Sequence, residues 1–272
     1  MSGKSPSFNS PQAGNTNPFL GENLISRKPL FSLLVGIILG FSLSLIPTAP
    51  ERRQRELYPQ ATFNLERDSY ALSYDGRTKG AIWVYELLTP DSVAGKAMRK
   101  GLQFKEDQDL PEIARSTIRD YLGCGYDRGH LCPAMDSKIN EKALSETFLL
   151  SNISPQAPNL NRGVWKTLEA SIRELASRGN TVHVYTLPLY LPSTENGKRF
   201  VRYQVIGESN VAVPTHFAKV AIIEGELTPL AYLIPNHSIP KTVSLESFRT
   251  TIERIEKVSG IVLPRTNLRT GF

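Results

Sequence analysis

Tyr126-Asp127-Arg128-Gly129-His130-Leu131-Cys132-Pro133 is the stretch on which the reading of this chain turns. Two later blocks complete it, Leu150-Ser151-Asn152 and Asn161-Arg162-Gly163-Val164-Trp165-Lys166-Thr167-Leu168-Glu169. Gly123 and Gly125 break the chain ahead of the first block, so Asp127 to Cys132 is expected as a short strand or extended turn. Side chains two apart on a strand share a face. Arg128 and His130 therefore point the same way, and Asp127 points to the other side. Histidine, with an ordinary pKa of about 6.5, accepts a proton at neutral pH. The guanidinium of Arg128 keeps its charge and presents a planar fork that matches phosphate oxygens.

From Asn161 to about Ser177 the apolar residues Trp165, Leu168, Ile172 and Leu175 recur at helical spacing, and Gly179 is a natural stop. Asn161, Trp165, Glu169 and Arg173 form one ridge of that helix, with Trp165 read as core packing. An asparagine that opens a helix is ordinarily an N-cap. Its amide oxygen is also a hard donor suited to Mg²⁺, which keeps several waters of its own. Eight residues of helix rise about 12 Å, too far for Asn161 and Glu169 to meet easily at one ion. Glu169 is accordingly expected at second remove, through water. Arg173 either approaches a phosphate or pairs with Glu169.

The blocks, in this order, resemble the DNA/RNA non-specific endonucleases, the ββα-metal (His-Me finger) nucleases. Their signature runs D-R-G-H, L-S-N-x-x-P-Q and N-x-x-x-W-x-x-L-E, and each position is matched. Tyr74-Asp75, Ala81-Ile82-Trp83-Val84, Phe104-Lys105-Glu106-Asp107, Val213-Pro214-Thr215-His216-Phe217 and Ile255-Glu256-Lys257-Val258-Ser259-Gly260 look similar too. The resemblance implies an α/β (α+β) fold with a central, mostly antiparallel sheet flanked by helices. It implies His130 as general base, Arg128 on the phosphate, and Asn161 as the sole direct protein ligand of Mg²⁺, for which Mn²⁺ can stand in. Asn152 would hydrogen-bond near the base or the scissile phosphate, with Asp127 and Glu169 in supporting places. Arg99 is the nearest candidate for an arginine upstream of the D-R-G-H block. DNA and RNA would both be cut, with little base preference because phosphate contacts carry no sequence information, leaving 5′-phosphate ends. Several such nucleases pair, so a homodimer is an option. Where the family has T-G-P-L-Y, this chain has Thr186-Leu187-Pro188-Leu189-Tyr190, a lost glycine expected to alter a loop near the site.

A length of 272 residues suits one such domain with extensions, and the net charge of +6 suits a polyanionic partner without demanding one. Residues 1–28 are rich in Ser, Asn, Pro and Gly and are expected as a disordered tail. Leu30 to Ile46 carries no charge and is bounded by Pro29 and Pro47. That run reaches the lower limit for crossing a bilayer, so residues 29–50 are read as a transmembrane anchor in preference to a cleaved signal, followed by the nuclease-like domain at 57–264. Arg27 and Lys28 before the span compete with Arg52, Arg53 and Arg55 after it. The domain is expected outside the cytoplasm, in the cell envelope or periplasm; the mitochondrial inner membrane and secretion are the alternatives.

Elsewhere, helices are expected from Pro111 to about Asp120, over Glu141 to Thr147 and over Leu245 to Val258. Strands are expected at Phe148–Ser151, Thr181–Leu187, Val201–Val205, Phe217–Ile223 and Pro229–Ile234, with a loop at Pro155 and Pro158. Cys124 and Cys132 bracket the D-R-G-H block, either as a disulfide or, preferred here, as free thiols. Three rival functions stand beside the nuclease: an inactive membrane-tethered relative that binds nucleic acid or protein, a phosphodiesterase of small esters, and a plain interaction scaffold.

Overall fold

The computed structural model describes residues 59–264. The expected tail and anchor, 1–28 and 29–50, lie outside the described residues. Among the described ones no helix is long and apolar enough to cross a membrane.

The centre is a six-stranded, wholly antiparallel sheet in the order β1-β2-β3-β6-β11-β12. Its strands are β1 (Thr62–Glu66), β2 (Tyr70–Asp75), β3 (Gly80–Leu88), β6 (Val182–Leu189), β11 (His216–Ile223) and β12 (Leu230–Pro235). Alternation along these strands builds two cores. On one face Val84, Leu88, Val182, Val184, Phe217 and Ala221 pack with Trp165, Leu168, Ile172 and Ala176. The last three of these belong to helix α4 (Lys166–Ser177). On the other face Leu187, Leu189, Ala218, Val220 and Ile222 pack with Ile252 and Ile255 of helix α5 (Ile252–Ser259). Helix α5 is capped by Thr251, whose hydroxyl accepts from the Arg254 amide, and is closed by Gly260 at φ 72°.

The strands at Val182–Leu189, His216–Ile223 and Leu230–Pro235 lie within two residues of expectation. Elsewhere local chemistry overrides periodicity. The expected helix from Pro111 breaks into 3₁₀ turns at Glu112–Ala114 and Arg119–Tyr121, because the Asp120 carboxylate takes the Thr117 amide and hydroxyl. In place of a strand at Val201–Val205 stand β8 (Lys198–Phe200), paired with β7 (Ser193–Glu195), and β9 (Val205–Ile206), paired with β10 (Val211–Ala212). The helix expected from Leu245 divides into a 3₁₀ turn, Leu245–Phe248, and α5, because Thr251 caps a new start. Leu187 does not alter a loop near the site: it is wholly buried in β6 on the α5 face.

Among the described residues there are also three short helices, α1 (Pro90–Val93), α2 (Glu141–Glu146) and α3 (Pro158–Leu160). The D-R-G-H block is strand β4 (Asp127–His130), paired antiparallel with β5 (Ile153–Gln156) so that His130 faces Ile153 and Asp127 faces Gln156. The expected strand at Phe148–Ser151 is thus displaced: Leu150–Asn152 is a 3₁₀ turn and pairing starts after it. Pro155, read as a loop former, sits inside β5, which is tolerable in a two-stranded ladder with open edges. Helix α3 continues through a π-helical stretch, Asn161–Trp165, into α4, with the irregularity at Gly163.

The β4–β5 pair packs so closely that a Cβ on Gly129 would lie 2.2 Å from the Gln156 side-chain amide. Gly129→Ala is therefore expected to cost about 1–3 kcal/mol of stability, read as a lowered denaturant midpoint. A variant as stable as the parent would show that the pair has slack.

Candidate active site

His130 forms a triangle of rings with Phe104, 5.4 Å away, and Phe148, 5.1 Å away and edge-on, the two phenyl rings being 5.3 Å apart. These rings meet because Lys105 pairs with the chain on either side of Leu149: its amide bonds to Phe148 O, and its carbonyl accepts from the Leu150 amide. Two arginines lie over this cluster. The Arg128 guanidinium lies 4.6 Å over Phe104, and that of Arg99 lies 5.0 Å over Phe148. Burial, with the Arg99 charge adding to it, pulls the His130 pKa down to about 4, so the ring is neutral at pH 7. Its Nε2 is enclosed with no hydrogen-bond partner among the described residues. Arg128 is exposed while sharing the Phe104 ring with His130, as the alternation of a strand requires.

Asp127, on the opposite side of β4, reaches the start of the site helix. It accepts from Asn161 Nδ2 at 2.9 Å and from Arg162 Nε at 2.8 Å. Burial works to raise this carboxyl, and the bonds from Arg162 and Asn161 outweigh it, leaving it below the ordinary carboxylate range. A carboxylate only accepts, so the Asn161 nitrogen must face Asp127 and its oxygen is turned away. That oxygen is a hard donor able to hold a divalent cation. Among the described residues there is no cluster of three or more His, Cys, Asp or Glu fit to cage a metal. A cation that keeps most of its own water shell, as Mg²⁺ does, suits a single amide donor.

Two expected site residues take other places. Asn152 is fully buried, and its amide is spent on backbone: Nδ2 donates to Cys132 O at 2.9 Å and Thr147 O at 3.0 Å, while Oδ1 accepts from Cys132 N at 2.9 Å. Nothing is left for a nucleotide, so Asn152 holds the turn after His130. Arg173 neither pairs with Glu169 nor stands free for a phosphate; its Nε donates to the buried Asp136 carboxylate. Trp165 is wholly buried, as expected of core packing.

Beneath the helix lies a buried ionic group that sequence reasoning missed: Glu86 on β3, Lys219 on β11, and Asp136, beside Glu169 and Arg173. The signal was there, since Lys219 is the one charge in Phe217–Ile223 and Glu86 the one in Gly80–Leu88. Burial raises the Glu86 carboxyl, the Asp136 charge adds to this, and Lys219 opposes it. Burial likewise lifts Glu169 to about 7, against the pull of Lys219. Both cysteines are free, the preferred of the two readings: Cys132 Sγ donates to Glu86 Oε2 at 3.2 Å, and Cys124 Sγ to Tyr126 O at 3.5 Å.

A family model described as DNA/RNA non-specific endonuclease matches residues 54–269. The chain belongs to this family. It is 44% identical over 210 residues to human "Endonuclease G, mitochondrial", spanning 75% of this chain and 71% of that one. It is 42% identical over 204 residues to "Nuclease C1" of Cunninghamella echinulata var. echinulata, spanning 72% and 81%. The fold matches a chain of the crystal structure of the EndoG/EndoGI complex, with a TM-score of 0.72, 37% identity, and 80% of this chain and 91% of that chain covered. This non-specific endonuclease family member is therefore a hydrolase of nucleic acid with an α/β fold.

The raised carboxyls carry a consequence for this nuclease's stability. Unfolded, Glu86 and Glu169 ionise in the ordinary carboxylate range; folded, Glu169 keeps its proton to about pH 7 and Glu86 also titrates high. The folded state binds more protons in that window, so stability falls as pH rises through it. Above about pH 6.5 His130 is neutral in both states and does not oppose the trend. In chelator the thermal midpoint is expected to drop between about pH 6.5 and 8.5, and Glu86→Gln to flatten the slope. A midpoint that climbs over that interval contradicts a proton held by this group.

Proposed function

We propose that this nuclease is a divalent-metal-dependent, sugar-non-specific endonuclease that uses His130 as general base and Asn161 as its metal-holding residue, and that it leaves 5′-phosphate ends on DNA and RNA. The observation that carries the reading is the hydrogen bond from Asn161 to Asp127, which turns a free amide oxygen outward from a residue in the same strand as His130.

The side chains divide the work. Arg128, exposed, meets the polyanion and grips a phosphate from the same side as His130. Arg99, over Phe148, contributes a second positive charge. His130, neutral, takes a proton from the attacking water. A free-state pKa of about 4 makes it a feeble base. The arriving phosphodiester offsets the Arg99 charge that depresses it, so substrate binding itself lifts the imidazole toward its working range. Asn161 would hold a Mg²⁺ or Mn²⁺ ion through its amide oxygen, and that ion would supply positive charge against the charge developing in the transition state. Asp127 fixes the Asn161 amide, and Glu169, two turns further along the helix, would act through water. None of these contacts reads a base, which fits cleavage without sequence preference.

For compartment, the mitochondrial designation of the human relative favours a location that separates the enzyme from nucleic acid it would destroy; organelle and cell envelope both satisfy this. The membrane segment at 30–46 remains a reading of hydropathy.

Plasmid DNA and single-stranded RNA, each incubated with Mg²⁺ or with chelator, test the reading. Cleavage of both, abolished by chelator and by His130→Ala, is expected, as is a metal requirement raised by about 10–100-fold in Asp127→Asn. Undiminished cutting by His130→Ala would remove it as the base, and cutting of a small diester but no polymer would favour the phosphodiesterase.

A further inference from the structure

We propose that Lys219 is a positioning residue for phosphodiester hydrolysis: its buried ammonium fixes the peptide that follows His130 to the sheet and faces the helix that carries Asn161 and Glu169. The inference rests on the roles given above to those residues.

Lys219 is 1% exposed and lies on β11 on the same face as Phe217 and Ala221, the face covered by α4. Its Nζ donates to Thr186 Oγ1 at 2.6 Å and to the Leu131 carbonyl at 3.2 Å. It stands 3.9 Å from Glu86 Oε1 and 5.1 Å from the centre of the Trp165 ring. Thr186 is its direct partner in the β6–β11 ladder, so the ammonium is anchored on the most regular part of the molecule. Leu131 follows the base. From the other side, Asn152 holds the same stretch through its carbonyl on Leu131 N at 3.0 Å and its amide on Cys132. The turn after His130 is thus gripped between Asn152 and Lys219.

Burying an ammonium is costly, and an apolar side chain of similar length fills the same space with less penalty. What an apolar side chain cannot do is donate to Leu131 O while setting positive charge beside Glu169. One side chain therefore acts on both halves of the site, the strand with the base and the helix with the metal-holding amide.

The test measures kcat and KM on linear DNA with Mg²⁺ for the wild type, His130→Ala, the double variant Lys219→Met/Glu86→Gln, and Thr186→Val. The double variant removes both charges and leaves neither buried alone, so cooperative melting is retained. Its kcat is expected to fall about 10–100-fold while KM stays within about threefold, the pattern of a displaced site and not of lost substrate affinity. A kcat within about threefold of wild type, or a loss borne by KM, overturns the proposal. Should the double variant fail to melt cooperatively, Thr186→Val decides: it frees the ammonium from one anchor without exposing a charge, so reduced kcat at constant KM supports the proposal and unchanged kcat refutes it. An inactive wild type, or an active His130→Ala, would strike the reading of the base and with it the proposal for Lys219, an outcome distinct from loss of kcat in the Lys219 or Thr186 variants alone.

Discussion

A carboxylate can accept hydrogen bonds and never donate them, and at Asp127 that one-sidedness orients the whole site. Because the group faces Asn161, the amide must present nitrogen inward and oxygen outward. Because Arg162 also closes on it, the carboxyl stays ionised even though burial works against it. Asp127 is the first residue of a strand whose fourth is His130, so the same backbone that aims the amide also fixes the imidazole relative to it. The pairing of β4 with β5 permits this, and Gly129 permits the pairing.

Around that bond the molecule distributes charge by depth. Arg128 is exposed, where a guanidinium is free to meet a polyanion and its long-range field assists encounter. Lys219, Glu86 and Asp136 are buried nearly completely, where each charge must be matched at close range. The buried carboxyls outnumber their cations: Glu86, Asp136 and Glu169 face Lys219 and Arg173. A low-dielectric region with an excess of acidic groups relieves itself by keeping a proton, which is why burial pushes the carboxyls upward.

The framework was legible where one periodicity governed a segment. Three of the six sheet strands, Val182–Leu189, His216–Ile223 and Leu230–Pro235, and the C-terminal end of the site helix at Ser177 fell close to expectation, whereas Thr62–Glu66, Tyr70–Asp75 and Gly80–Leu88 were not foreseen as strands. Legibility failed where a side chain outcompeted the backbone pattern, as Asp120 does by capturing Thr117 and as Thr251 does by starting a helix afresh. Among site residues, strand alternation placed Arg128, His130 and Asp127 correctly relative to one another. The partners of Asn152 were not legible because a motif position says that a residue is needed and not what it bonds; here three backbone groups, two of them on Cys132 close after His130, take up its amide. Glu86 and Lys219 were passed over because a single charge in an apolar strand reads as an edge or surface position until cross-strand register shows both on the covered face.

The depressed imidazole fits this division of charge. An imidazole packed against Phe104 and Phe148 with an arginine nearby stays neutral at pH 7 and adds no positive charge to the site. The low pKa has two causes, burial first and the Arg99 charge second. Burial is set by the fold, through the packing of Phe104 and Phe148 against the ring, whereas the Arg99 charge comes from an exposed guanidinium over Phe148 that is open to any anion binding there. The larger cause is thus fixed by packing, and only the smaller one answers to the surroundings.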